Sequence, residues 1–259
     1  MTLTRSYIGE IPIKVNYMIS VLCIGNSFSE DATAYLQKVA GGALYVRNLA
    51  IGGCSLERHY NNIIEDKAVY WYEENAVAIK DSSVGEALSE REWDYITVQQ
   101  VSHDSGIIDT YEPFLGKIVE YLQEKCPSAK IVLHRTWAYD DKSDHPGFAV
   151  YGRDRKKMYN AIVDTTNKIA EKYGFDVIPC GDAVELARDL EEFGTGAALS
   201  MNRDGFHLSF DYGRYLAALV MCKYFTGVDA TTVEYEPEGT DPQINKKLKV
   251  IANKAFDLI

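Results

Sequence analysis

Short apolar runs alternate along the chain with longer stretches in which apolar residues recur every three or four positions. Ile19–Gly25 (ISVLCIG) is almost wholly apolar and ends in glycine, the pattern of a strand covered on both faces. Behind it Ser29 is expected to cap a helix, with Glu30 and Asp31 in the first turn and Ala32–Ala40 continuing it. Leu44–Ala50 reads as a second strand closed by Gly52 and Gly53, and Val69–Lys80 as a small hairpin around Glu74–Asn75. Asp94–Gln99 (DYITVQ) is a third core strand, after which Phe114, Leu115, Ile118, Val119 and Leu122 form the stripe of a helix packed on a sheet. Lys130–His134 and Phe175–Pro179 are the fourth and fifth strands, separated by a long helix over Tyr151–Tyr173. Further helices are expected over Asp182–Glu192, Tyr212–Phe225 and Asn245–Ile259.

Strands separated by helices need crossover connections. The expected fold is therefore α/β, a three-layer α/β/α sandwich with a central, mainly parallel five-stranded sheet. With no repeat or Pro/Gly-rich linker to divide it, a single domain is expected over 1–259, with its core over 19–226 and a C-terminal helix over 245–259. Ligands of such sheets bind beyond the carboxyl ends of the strands, so the residues just after each strand are the ones to interrogate.

Composition removes several classes of function. The 259 residues can bury a large core without a disulfide or metal, and 46% hydrophobic with 25% charged residues is ordinary for a folded protein. A formal charge of −11 argues against a nucleic-acid partner, and the densest basic run, Arg153, Arg155, Lys156 and Lys157, is broken by Asp154 and reads as a solvated helix face. No apolar stretch approaches the ~20 residues needed to cross a bilayer, so no membrane partner is expected. The opening MTLTRSYIGEIPIKVNYM lacks the apolar core of a secretory signal. Cys23, Cys54, Cys126, Cys180 and Cys222 are odd in number and without C-x-x-C spacing, which fits a reducing compartment. A cytoplasmic location is the expectation; the oligomeric state is not legible.

Four segments after strands carry candidate chemistry. In Gly25-Asn26-Ser27-Phe28-Ser29 the central serine stands where backbone N–H groups at a helix start can hold an oxyanion, although a Gly-Asn-Ser turn also simply caps helices. In Asp204-Gly205-Phe206-His207 the three-residue spacing lets a carboxylate fold back onto a histidine and orient it as a base; on its own such a pair is also a common loop sequence. Gly52-Gly53 is either a turn or a backbone N–H kept open to a substrate oxygen. Gln99-Gln100, with Ser102, His103, Asp104 and Ser105, offers amide donors to an oxyanion or to loop backbone.

Taken together, these blocks resemble the SGNH (GDSL-type) hydrolases. GNSFSEDA, NLAIGGCSLERH, WDYITVQQVSH, HRTWAYD and RDGFHLS are similar to a largely uncharacterised bacterial branch of that superfamily, over about Val21–Phe225. The resemblance implies a flavodoxin-like sandwich with Ser27 as nucleophile, His207 as base and Asp204 orienting that base. It implies oxyanion donors at the Ser27 and Gly53 backbone N–H groups. The family's third donor, an asparagine in a G-x-N-D block, is missing here; counting places His103 near it, whereas chemistry favours Gln100. Asn26 and Trp137 are candidate substrate contacts, and Trp137 and Tyr139 could stack on a sugar ring or pack the core.

The implied reaction is hydrolysis of a carboxylic ester through an acyl-serine. An O-acetyl group on a small-molecule or oligosaccharide substrate is the first choice, because NLAIGG-C-S resembles the matching block of SGNH carbohydrate esterases. A short-chain esterase or thioesterase is the alternative, and a catalytically weak carbohydrate-binding protein is the reading from another class. No cofactor is implied. His59, His134 and His145 lack metal-ligand spacing and Asp140, Asp141 and Asp144 lack the rest of a calcium loop, so no metal is expected; Cys54, beside Gly53, is read as a packing thiol in preference to a nucleophile.

Overall fold

The computed structural model describes residues 18–194 and 196–259; the opening stretch read above for a secretory signal lies outside them except for Met18. In chain order the elements are β1 (Ile19–Gly25), α1 (Ser27–Thr33), α2 (Leu36–Val39), β2 (Leu44–Ala50), α3 (Leu56–Ile64), β3 (Tyr70–Glu74), β4 (Val77–Ser82), α4 (Val84–Ser89), β5 (Tyr95–Val98), α5 (Phe114–Lys125), β6 (Lys130–His134), α6 (Arg155–Tyr173), β7 (Asp176–Ile178), α7 (Cys180–Ala187), α8 (Tyr212–Thr226) and α9 (Pro242–Lys254). They form one seven-stranded sheet in the order β4-β3-β2-β1-β5-β6-β7.

The strand-and-helix alternation gives the expected α/β/α layering, with β1, β2, β5, β6 and β7 parallel. The sheet has seven strands, not five. The hairpin β3–β4 pairs antiparallel with β2, from Asn48↔Glu73 to Ala50↔Trp71, and so extends the sheet at one edge. Successive residues of β1 point to opposite faces: Val21 and Cys23 enter a core with α1, α8 and α9, while Leu22 and Ile24 enter one with α3 and α5. Burial on both faces is why the strand reads as an unbroken apolar run. α6 contributes Met158 and Ile162 to the first core and Ile169 to the second.

Local differences have local causes. The cap of α1 is Asn26, not Ser29: Asn26 is the last extended residue, at φ −144°, and its Oδ1 accepts the Phe28 N–H at 3.0 Å. Ser29 lies inside the helix and donates its hydroxyl back to the Asn26 carbonyl at 2.8 Å. The helix expected to Ala40 breaks at Tyr35 (φ −112°, ψ 0°) into α1 and α2. α7 ends at Ala187 instead of Glu192, and Arg188, just beyond it, turns its guanidinium to the Ala138 carbonyl and the Asn202 side chain. Two short helices, α3 and α4, add to the expected elements; Ser55 caps one, and Ser83 with Glu86 forms a capping box on the other. Among the described residues all five cysteines are free and buried, and no helix is long and apolar enough to cross a membrane.

Candidate active site

The chain leaves β1 for β2 on one side and later returns to β5 on the other, so the carboxyl end of β1 is a topological switch point, where doubly wound sheets open a crevice. Three turns meet there: Asn26–Phe28 after β1, Gly52–Cys54 after β2 and Gln99–His103 after β5. Buried Asn26 joins the first two, its Nδ2 donating to the Cys54 carbonyl at 3.1 Å, and joins the third by accepting from Gln99 Nε2 at 3.0 Å.

Ser27 is partly exposed between the buried side chains of Asn26 and Phe28. Its hydroxyl lies 2.9 Å from His207 Nε2, and His207 Nδ1 lies 2.6 Å from Asp204 Oδ2. The carboxylate fixes Nδ1 as the protonated nitrogen, which leaves Nε2 bare to receive the Ser27 proton. The second oxygen of Asp204 accepts the Phe206 and His207 backbone N–H groups at 3.1 and 2.8 Å. Burial pulls the Asp204 carboxyl upward, but these hydrogen bonds outweigh it and hold the group below its ordinary value, ionised opposite the imidazole.

The loop carrying Asp204 and His207 is tied down on all sides. Gly205 has φ +88°, and a Cβ there would come within 2.8 Å of Ser143 Cα, so only glycine fits. Its carbonyl accepts the Asp140 N–H at 2.7 Å. Trp137 Nε1–H and Asn202 Nδ2 both donate to the Phe206 carbonyl, at 2.7 and 3.0 Å. The fully buried Asp31, one turn after Ser27 on α1, accepts the Leu208 N–H at 2.8 Å, Arg203 Nη1 at 2.9 Å and Arg214 Nε at 2.7 Å. Asp31 therefore fastens the histidine loop directly to the serine helix. Sequence reasoning missed it, because Asp31 looked like an acidic residue placed to suit the helix start.

Two backbone donors remain open. Among the described residues nothing accepts a hydrogen bond from the Ser27 or Gly53 N–H. Gly53 has φ +62° with open space where a side chain would stand. Gln100 does not join them. It is buried, donates to the Thr110 carbonyl and hydroxyl at 2.9 and 3.0 Å, and accepts the Leu56 and Val101 N–H groups, so its amide is fully used inside the protein. Its neighbour Gln99 is spent likewise, on Asn26 and His134. His103 stays partly exposed and stacks on His145 at 5.4 Å between ring centroids.

Two expected substrate contacts are also corrected. Asn26 and Trp137 are 1% and 0% exposed; Asn26 is a cap and cross-tie, and Trp137 stacks on Phe28 at 4.3 Å. Tyr139 is equally buried. His59 and His134 are buried, and burial pushes them down to about 3 and about 4, while burial pushes the Cys54 thiol up to about 12. Among the described residues no group of three His, Cys, Asp or Glu side chains could hold a metal ion.

A mainly parallel sheet between two helical layers thus carries, after its first strand, a serine hydrogen-bonded to a histidine late in the chain. The chain belongs to the DUF4886 family, described as a domain of unknown function, which matches residues 20–257. The crystal structure of a DUF4886 family protein from Bacteroides uniformis ATCC 8492 is similar at 38% identity and a TM-score of 0.85, covering 93% of this chain and 95% of that one. An acetyl xylan esterase, AlAXEase, shares the fold at 19% identity and a TM-score of 0.53, covering 80% of this chain and 99% of that one. A member of the lipolytic G-D-S-L family from Veillonella parvula DSM 2008 shares it at 14% identity and a TM-score of 0.51, covering 81% and 100%. No curated protein matches the chain.

Proposed function

We propose that this protein is a serine esterase that hydrolyses a carboxylic ester through an acyl-serine, with an O-acetyl group on a carbohydrate as the substrate. The observation that carries the reading is the continuous hydrogen-bonded series from Ser27 Oγ through His207 to Asp204. His207 Nε2 takes the hydroxyl proton as Ser27 Oγ attacks the carbonyl carbon, and returns it to the departing alcohol. Water then attacks the acyl-serine, losing its proton to the same nitrogen, and the serine is regenerated with release of the acid. On this reading the open N–H groups of Ser27 and Gly53 donate to the charge that develops on the carbonyl oxygen.

The carbohydrate part is supported by the likeness of the Asn48–Ser55 block to carbohydrate esterases and by a fold shared with an acetyl xylan esterase. A short-chain ester or thioester of a small metabolite would use the same chemistry. One observation favours a different reading, a catalytically weak carbohydrate-binding protein: both glutamines after β5 are spent internally, so neither supplies an amide to the oxyanion site. Turnover of p-nitrophenyl acetate and of acetylated sugars, compared between wild type and Ser27→Ala, separates them. The esterase loses up to about 10⁶-fold with the serine, and a fluorophosphonate labels Ser27. A binding protein shows neither.

A further inference from the structure

The ring contacts do not stop at His207. The Phe206 ring lies 4.2 Å from that of His207, the His145 ring 5.0 Å from Phe206, and the His103 ring 5.4 Å from His145. All four side chains are partly exposed. Buried Tyr139 backs the strip at 4.9 Å from His145 and 5.5 Å from Phe206, its hydroxyl paired with Ser102 at 2.7 Å. The two histidines are held by close backbone packing, since a Cβ on Gly147 would come within 2.4 Å of His103 Cβ. His145 Nδ1 accepts the Gly147 N–H at 3.1 Å, so the neutral ring carries its proton on Nε2, where nothing among the described residues accepts it. Burial holds His145 below its ordinary value and favours that neutral form.

We infer that His103, His145 and Phe206 form the subsite for the alcohol part of the ester, and that this alcohol is a neutral, hydroxyl-rich ring. The inference rests on the reading that Ser27 attacks an ester, and adds which part of the substrate lies where. Aromatic and imidazole faces pack against the C–H face of a sugar ring, and the His145 Nε2–H gives one directed donor to a hydroxyl. Carboxylates border the strip. Asp144 and Asp204 act on His145, and Asp104 stands 3.9 Å from His103, so a sugar bearing a carboxylate or phosphate meets like charge there. Buried Tyr139 is the wall behind this surface, and the partly exposed rings in front of it do the stacking.

His145→Asn keeps an acceptor for the Gly147 N–H while removing the ring and its Nε2–H. The measurement is kcat/KM on acetylated xylobiose divided by kcat/KM on p-nitrophenyl acetate, which has no sugar. That ratio is expected to fall about tenfold in the variant, through KM for the sugar ester, and the wild type is expected to prefer acetylated glucose to acetylated glucuronic acid. An unchanged ratio, or a preference for the acidic sugar, overturns the inference. Calorimetric titration of xylobiose into Ser27→Ala distinguishes this from failure of the esterase reading. Binding that disappears in Ser27→Ala/His145→Asn, with no ester cleaved by wild type, upholds the subsite and removes the esterase. Ester cleavage by wild type with no xylobiose binding to Ser27→Ala removes the subsite and leaves the esterase.

Discussion

With one oxygen Asp204 holds the His207 ring, and with the other it holds the backbone that presents that ring. In Asp204→Asn a side-chain carbonyl can still accept the two backbone N–H groups, but an amide nitrogen facing Nδ1 forces the opposite tautomer and protonates the nitrogen Ser27 needs. Ester turnover should fall on the order of 10³–10⁴-fold while the melting temperature hardly moves, which parallel kinetics and thermal unfolding would check. Spacing and a place after a strand made Ser27, Asp204 and His207 candidates, and the resemblance to SGNH hydrolases grouped them; the structure brings the three within hydrogen-bond distance. The roles of Gln100, Asn26 and Trp137 were not legible. Residue type says what a side chain is able to donate or stack upon, but not which neighbour claims it first, and in each case internal packing did.

At the level of elements, the distance between Ser27 and His207 is set by α1 against the loop that follows Asn202, and Asp31 is the joint. Its carboxylate takes a backbone N–H and two guanidinium groups at complete burial, where a neutral amide satisfies fewer of them. Asp31→Asn should lower kcat by roughly 10–100-fold with little change in KM, because small misplacements of reacting groups are costly. In a His207→Ala background the same substitution should cost almost nothing further, and a double-mutant cycle on turnover tests this; a purely structural loss would be additive. The five parallel strands were readable from their apolar, β-branched runs. The hairpin was readable as a hairpin, yet its docking on β2 depends on pairing between distant residues, which no local pattern reports. The cap of α1 was misplaced for a related reason: Asn26, Ser27 and Ser29 are all good capping types, and only the backbone angles decide among them.

Across the whole molecule, buried titratable groups make stability depend on pH in two opposite ways. His59 and His134 are held neutral by burial, at about 3 and about 4, against an ordinary 6.5. As pH falls below 6.5 the unfolded chain binds protons that the folded one refuses, so folding weakens progressively toward pH 4. Glu73, buried beside Asn48, is pushed up to about 7 from 4.5; the unfolded chain ionises first as pH rises, so this site costs stability through that window and keeps the cost above it. Glu73→Gln should therefore raise the urea midpoint at pH 8 and leave it nearly unchanged at pH 4, read from unfolding curves at both values. Similar midpoint shifts at the two values would rule out this account of Glu73.

The hydrogen bond between Ser27 and His207 joins residues 180 positions apart. A chain emerging from the ribosome exposes its serine early and receives its base only when synthesis is far advanced. Until α8 and the loop before it have folded back onto α1, the serine is an ordinary alcohol. On the proposed reading, a prematurely terminated or clipped polypeptide lacking the distal segment has the serine without its base, and is expected to hydrolyse no ester.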